Sequence, residues 1–416
     1  FARALASDVS TAEASFIAPV AADGTDRACL AAAAADADAV VDAATGRATR
    51  VSERLAATPI ALKAVAGITP AARAREAPPP AVVTDALARF GIAGASGLYL
   101  IEGGGASGKS WILRALVAEL ARAQQRGGEG AAAAAALWLP LRLPLASLAA
   151  DEPIDDAIAK HEHAARLIKA RDEHRLVLLL DGLDEVPPAR RAGLLEAVDR
   201  AARAGAVVVL TSRPRAANAD ELAPLGFRFF AAMPLGPEAV AAALGVASIA
   251  ETPLELSLAK QAREHGEAPA ASRAALYATA IERRLADWRG GGAAIQLARV
   301  VLPEMRELLR RLARDAHAAR SIEFGRDKLL AALDGDARKA AAAWRLGRAG
   351  ALPLVVARGD ALAFAHLSFQ EHLAAEELGV EKLFGDEAKL GDSWLADAQL
   401  TAWELAGDAA REDAIA

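Results

Sequence analysis

A single cysteine, Cys29, occurs in 416 residues. No disulfide can therefore close within the chain, and the composition suits a reducing, cytoplasmic setting. Aromatic side chains make up only 4%, with alanine in place of bulkier residues throughout. Helices should be abundant and the core thinly filled. No uncharged apolar stretch reaches the roughly 18 residues a membrane span requires, so no membrane association is expected. Residues 1–20 carry Asp8 and Glu13 and lack a basic start followed by an apolar block, so no signal peptide is read there. Positive charge is not in excess either. Lys and Arg number 48 against 54 Asp and Glu, a net charge of −6. No overall basic field invites nucleic acid or anionic lipid. The first residue is Phe1 and not Met, which reads as an excerpt of a longer protein.

What is present is a phosphate-binding pattern. Gly103-Gly104-Gly105-Ala106-Ser107-Gly108-Lys109-Ser110 matches G-x-x-x-x-G-K-[ST] at every fixed position. It follows the apolar run Leu98-Tyr99-Leu100-Ile101 and precedes the amphipathic run that begins at Trp111. The motif needs that strand–loop–helix setting to carry meaning. The glycines allow successive backbone N–H groups to turn inward around an anion where a Cβ would collide. The N-terminal amides of the following helix add to the attraction. Lys109 is expected at the β- and γ-phosphates and the Ser110 hydroxyl on Mg²⁺. The expected nucleotide-binding set is Gly103 to Ser110 together with Trp111.

From Ala86 onward helix and strand patterns alternate, as a parallel sheet with crossover helices requires. Strands are expected at Leu98–Glu102, Leu137–Leu143, Leu176–Asp181, Val207–Thr211 and Phe227–Ala231. Helices are expected at Trp111–Arg126, Ile154–Ala170 and Ala189–Ala204. The third strand ends in Asp181-Gly182-Leu183-Asp184-Glu185. An acid at the carboxyl end of a buried strand lies where open α/β sheets bind ligands, so Asp181 is expected to support Mg²⁺. Asp184 and Glu185 either orient an attacking water or cap the helix that follows. The fourth strand ends in Thr211-Ser212-Arg213-Pro214. Arg213 either faces a γ-phosphate or pairs with a neighbouring carboxylate. Lys109, Asp181, Asp184, Glu185 and Arg213 form the expected catalytic set.

Asp-Gly-Leu-Asp-Glu on one strand and Thr-Ser-Arg-Pro on the next resemble the NACHT family of STAND signalling NTPases. Three later stretches are similar to the same family: Glu251-Thr252-Pro253-Leu254, Arg273-Ala274-Ala275-Leu276-Tyr277 through Trp288, and Phe364-Ala365-His366-Leu367-Ser368-Phe369-Gln370-Glu371-His372-Leu373-Ala374-Ala375. Bacterial immune NACHT proteins look closest. The resemblance spans about residues 90–380. It implies that Pro253 lies against an adenine and that His366 touches the β-phosphate of ADP in a closed state. Read from the residues alone, His366 is a core or capping histidine.

The carboxyl half has its own pattern. Gln296–Arg320 reads as a helix with exposed arginines on a solvated or partner-pairing face, and Asp327–Leu346 as another. Leu352–Ala357 and Ala361–Ala365 flank Arg358-Gly359-Asp360 and read as a β-hairpin. Helix, hairpin and helix together make a winged-helix unit.

The expected fold is an α/β P-loop NTPase followed by a helical and a winged-helix domain. The expected division is 1–85, helical lead-in and linker; 86–245, nucleotide-binding; 246–320, helical; and 321–416, winged helix and the start of an extension. No effector domain is recognised in the first segment, and no repeat array follows the winged helix. The resemblance implies a cytoplasmic ATP/ADP switch in bacterial antiviral defence, closed with ADP and open with ATP. It would be a slow Mg²⁺-dependent ATPase that self-assembles on activation, with a trigger and effector that the chain does not identify. Two other functions stay open: an AAA+-like ATPase with continuous turnover, and a scaffold that holds ADP without cycling.

Overall fold

Leu98-Tyr99-Leu100-Ile101, Leu176 through Leu180 and Val207 through Leu210 are apolar at odd and even positions alike. Only strands covered on both faces use that pattern. They form inner strands of a six-stranded sheet in the computed structural model. It describes residues 37–41, 48–50, 60–64, 81–90, 92, 97–126, 138–148, 153–161, 163–214, 222, 225–290, 301–384 and 394–406. Contacts divide the described residues into two units, one ending at Leu235 and the other beginning at Gly236.

The first unit begins with β1 (Ala39–Val41), β2 (Ala48–Arg50), β3 (Leu62–Ala64) and α1 (Ala81–Ala88). Next come β4 (Leu98–Glu102), α2 (Lys109–Arg126), β5 (Leu139–Pro144), α3 (Ile154–Lys160) and α4 (Ala164–Asp172). β6 (Leu176–Asp181), α5 (Pro188–Arg203), β7 (Val207–Ser212) and β8 (Arg228–Ala232) complete it. The sheet runs in the order β3-β8-β4-β7-β6-β5. All neighbours are parallel except β3, which lies antiparallel on β8 at the edge. Because β7 is inserted between β4 and β6, three strand ends meet side by side. Glu102 is in register with Ser212, and Leu180 with Leu210.

Several expected elements differ. The helical lead-in over 1–85 contributes, among its described residues, three short strands besides α1: β1 pairs with β2, and β3 extends the sheet. Alanine favours helix only weakly, and strand pairing overrides it. The helix expected over 154–170 is two, α3 and α4, separated at His161, where the backbone is extended (φ −65°, ψ 143°). The second strand starts at Leu139; residues 127–137 lie outside the described residues.

The second unit holds α6 (Pro237–Leu244), α7 (Pro253–Glu264), α8 (Arg273–Arg289) and α9 (Met305–Ala318). They are followed by β9 (Glu323–Phe324), α10 (Arg326–Ala332), α11 (Ala337–Arg348), β10 (Val355–Arg358), β11 (Ala361–Phe364), α12 (Leu367–Phe384) and α13 (Ala396–Leu405). The hairpin β10–β11 adds β9 to make a three-stranded antiparallel sheet, with Gly359 (φ 49°) in the turn. Of the helix expected over 296–320, residues 296–300 lie outside the described residues. Val301 is helical, the chain breaks around Pro303, which cannot donate to a helical ladder, and α9 follows from Met305. The helix expected over 327–346 breaks at Asp334 (φ 53°) and Gly335 (φ 81°), and Asp336 caps the second piece through Arg338 N and Lys339 N.

The arginine row of α9 faces acids rather than open solvent. Arg306 meets Glu376 at 2.7 Å, Arg310 meets Glu377 at 2.9 Å, and Arg314 reaches Glu377 at 3.3 Å, all on α12. Among the described residues no helix is long and apolar enough to cross a membrane.

Candidate functional site

The chain leaves β4 at Glu102 and enters α2 at Lys109 through the glycine loop. Gly103 N donates to Ser212 O at 3.1 Å, tying the loop to the tip of β7. A Cβ on Gly103 would lie 2.5 Å from Ser107 Oγ and 3.0 Å from Ala232 Cβ, so only glycine fits there. Gly108 has φ 88°, a left-handed conformation that costs glycine little. Ala106 sits at φ 60° with a Cβ, a conformation costing roughly 1–2 kcal/mol. Strain of that kind persists only where the surroundings enforce it.

Lys109 folds back over the loop. Its Nζ donates to Gly103 O at 2.6 Å and Gly104 O at 2.9 Å, and lies 3.4 Å from Ser107 Oγ. Burial holds the ammonium below the ordinary lysine range; Asp184 opposes that shift and Arg213 reinforces it. One lysine therefore sits within electrostatic reach of both acids and of the strand-tip arginine.

Asp181, at the end of β6, is buried and accepts bonds on both oxygens. Ser110 Oγ donates to Oδ1 at 3.1 Å and Thr211 Oγ1 to the same oxygen at 2.9 Å. Arg142, on β5, donates to Oδ2 from Nε at 3.2 Å and from Nη2 at 2.5 Å. Burial alone would raise this carboxyl. The Arg142 charge and the hydrogen bonds from Arg142, Thr211 and Ser110 outweigh it and hold Asp181 below the usual carboxylate range.

Asp184 and Arg213 form a second buried pair, with side chains 4% and 6% exposed. Arg213 Nε lies 3.1 Å from Asp184 Oδ2, and Arg213 N donates to Oδ1 at 3.0 Å. Of the two roles open for Arg213, pairing with a carboxylate is the one present in this conformation. Gly182 between the acids has φ 85° and donates its N–H to Thr211 Oγ1 at 2.9 Å. Its left-handed turn folds Leu183–Glu185 into a single 3₁₀ turn and leaves Glu185 half-buried. Arg191 fastens that turn through Val186 O at 2.9 Å and Asp184 O at 3.3 Å.

The fold thus gathers Lys109, Ser110, Asp181, Asp184 and Arg213 around the glycine loop, with Glu185 within electrostatic reach of Lys109. Trp111 is half-buried in the first turn of α2. Pro253 and His366 belong to the second unit. Pro253 opens α7 inside a capping box: Thr252 Oγ1 accepts from Glu255 N at 3.3 Å, and Glu255 Oε2 accepts from Thr252 N at 3.1 Å. His366 immediately precedes α12, where its Nδ1 accepts from Ser368 N at 3.1 Å, a capping contact. An accepting Nδ1 puts the proton of a neutral ring on Nε2.

Arg142 and Thr211 were not singled out from sequence as site residues. The signal for Arg142 was one arginine inside Leu139-Pro140-Leu141-Arg142-Leu143, since a charge in a buried strand needs a partner. Glu102, the last residue of β4, is a third: burial raises its carboxyl above the usual range.

A hard cation fits this donor set. The Ser110 hydroxyl and the Asp181 carboxylate are oxygen ligands already in contact, and oxygen is what Mg²⁺ selects. Among the described residues no cluster of three His, Cys, Asp or Glu side chains could cage a metal. A cation here would be shared with phosphate oxygens and water, as Mg²⁺ usually is.

No protein-family model matches the chain, and no curated protein sequence matches it. Among solved structures it is similar to the Aeropyrum pernix Orc1 protein in complex with DNA, at 15% identity and a TM-score of 0.33, over 78% of this chain and 96% of that one.

Proposed function

We propose that this chain is a nucleotide-operated switch of the NACHT type, closed with ADP, opened by ATP and reset by slow Mg²⁺-dependent hydrolysis. The observation that carries the nucleotide site is the direct bond between Ser110 and Asp181 beneath a glycine loop whose lysine is poised over it. Gly103 to Ser110 would wrap the phosphates with backbone N–H groups, with Trp111 behind them at the start of the helix. Lys109 would exchange its two loop carbonyls for β- and γ-phosphate oxygens. Ser110 and Asp181 would hold Mg²⁺, which when bound supplies positive charge at the phosphate oxygens. Asp184 or Glu185 would orient the attacking water, and Arg213, released from Asp184, would turn to the γ-phosphate.

The switch rests on the order of the later motifs and on the resemblance they carry. In that reading 86–245 is the nucleotide-binding domain, 246–320 helical and 321–416 a winged helix containing the β10–β11 hairpin and the start of a carboxyl-terminal extension. Pro253 then packs against adenine and His366 Nε2–H donates to the β-phosphate of ADP. ATP binding releases that contact and allows copies of the chain to assemble, in a cytoplasmic defence response with its own trigger and effector.

The test has two parts. Lys109→Ala should weaken nucleotide binding by about 2–4 kcal/mol, measured by calorimetry; binding within threefold of the parent would refute the phosphate site. His366→Ala should speed ADP release roughly tenfold or more and yield oligomers without a trigger. Altered turnover without assembly would favour a continuously cycling ATPase. Parent-like release and assembly would leave His366 as a helix cap.

A further inference from the structure

We propose that Arg142 is a built-in counter-ion that competes with the metal for Asp181, and so sets how strongly nucleotide binding depends on Mg²⁺. This rests on reading Gly103–Ser110 as a nucleotide site. Arg142 lies in the middle of β5, on a strand otherwise made of Leu and Pro, and is 7% exposed. Its two nitrogens converge on a single oxygen, Asp181 Oδ2. The other oxygen, Oδ1, already takes Ser110 and Thr211. A carboxylate offers about four acceptor directions, so this one is fully engaged by the protein. A cation, or a water bound to one, reaches Asp181 only by displacing a donor.

The donors differ in how readily they yield. Thr211 Oγ1 is held at its other end by Gly182 N at 2.9 Å, so its place is fixed by the turn it supports. Ser110 is exposed at the helix mouth and can rotate its hydroxyl toward a metal. Arg142 carries the charge. While it stays on Oδ2 the pair is neutral overall, and the pull of Asp181 on a divalent cation is correspondingly reduced. A merely structural Arg142 would brace β5 against β6 with or without metal. A competing Arg142 makes two states of one site: arginine on Asp181 when metal is absent, metal-facing carboxylate when nucleotide brings Mg²⁺.

The readout is the ratio of the ADP dissociation constant in EDTA to that in saturating Mg²⁺, together with the thermal midpoint in each condition. Arg142→Met removes the charge and keeps a long apolar stem. It should raise the ratio about tenfold and lower the midpoint in EDTA by several degrees, with Mg²⁺-ADP restoring most of that loss. Arg142→Lys keeps the charge without the two-nitrogen grip and should raise the ratio by a smaller factor, roughly threefold. A parent-like ratio in Arg142→Met, with equal loss of midpoint in both conditions, overturns the proposal. Should Arg142→Met fold in neither condition, a parent-like ratio in Arg142→Lys overturns it instead. If the parent itself binds no ADP, the nucleotide reading fails and the proposal with it. A parent that binds ADP with Mg²⁺ dependence, but whose dependence ignores residue 142, refutes the proposal alone.

Discussion

Replacing Arg213 by Met would strand a buried carboxylate, and the loss can be worked from the geometry. Asp184 would lose the guanidinium contact at 3.1 Å but keep the backbone bond from residue 213 at 3.0 Å. Two unit charges about 4 Å apart at an effective dielectric of about 20 attract by roughly 4 kcal/mol. Removing one partner of a buried pair typically costs about 3–5 kcal/mol. Lys109 moderates this, because its ammonium also feels Asp184, so about 2–4 kcal/mol is expected. Asp184→Asn should be at least as damaging, since it leaves Arg213 close to Lys109, whose charge Arg213 already disfavours. The double variant removes both charges and should recover about 2 kcal/mol or more relative to the sum of the singles. The assay is urea unfolding followed by circular dichroism, comparing midpoints at unchanged m. Phosphate in the buffer should rescue Asp184→Asn more than the parent, because it supplies the missing anion. Additivity within about 0.5 kcal/mol in the double-mutant cycle would refute the coupling of the two side chains.

Two further outcomes follow from other paired charges. Arg273 bridges Glu255 on α7 at 2.8 Å and Asp397 on α13 at 3.0 Å and lies over the Tyr277 ring; Arg273→Ala should cost the second unit about 2–4 kcal/mol and speed hydrogen exchange in α7 and α13, and unchanged exchange there would contradict it. Asp181 has a lowered folded pKa, so the stability it contributes is present above the ordinary carboxylate range, about pH 4, and is lost as pH falls through the lowered value. Asp181→Asn should therefore flatten the acid limb of the stability profile below about pH 4, and an equally steep limb in both proteins would show that another group drives it.

Legibility in the sequence followed the range of the interaction. The inner strands and the glycine loop could be read because each is a local pattern: an unbroken apolar run, or a spacing of glycines before Lys109 and Ser110. The breaks within helices were harder, since Asp334 and Gly335 turn the chain by backbone angle while the apolar period continues across them. The β1–β2 pair and β3 were hidden by alanine composition, which speaks for helix until a neighbouring strand provides a partner. Partners of charges were the least legible. Arg142 and Asp181 lie 39 residues apart, and Arg273 and Asp397 lie 124 apart. A sequence declares that such a charge exists; only the sheet order and the helix packing decide what it meets.

That self-pairing has a consequence for how a nucleotide could bind. Lys109, Arg142 and Arg213 are set against Asp181, Asp184 and Glu185, and Asp181 and Asp184 each hold one of these cations directly. Among these groups positive and negative charge cancel, so a polyphosphate meets no surplus cation. The N-terminus of α2 contributes only about half a positive charge. Each phosphate contact made by Lys109 or Arg213 is therefore an exchange, in which a bond to Gly103 O or Asp184 is given up for a bond to the ligand. Exchanges of this kind gain much less than new contacts in an empty basic pocket. The remaining charge has to arrive with the nucleotide, and Mg²⁺ is the cation that the Ser110–Asp181 oxygen pair can share with it. On the proposed reading, nucleotide without Mg²⁺ should bind weakly even though every motif residue is in place. The same exchange links nucleotide state to conformation, because Arg213 cannot serve Asp184 and a γ-phosphate at once.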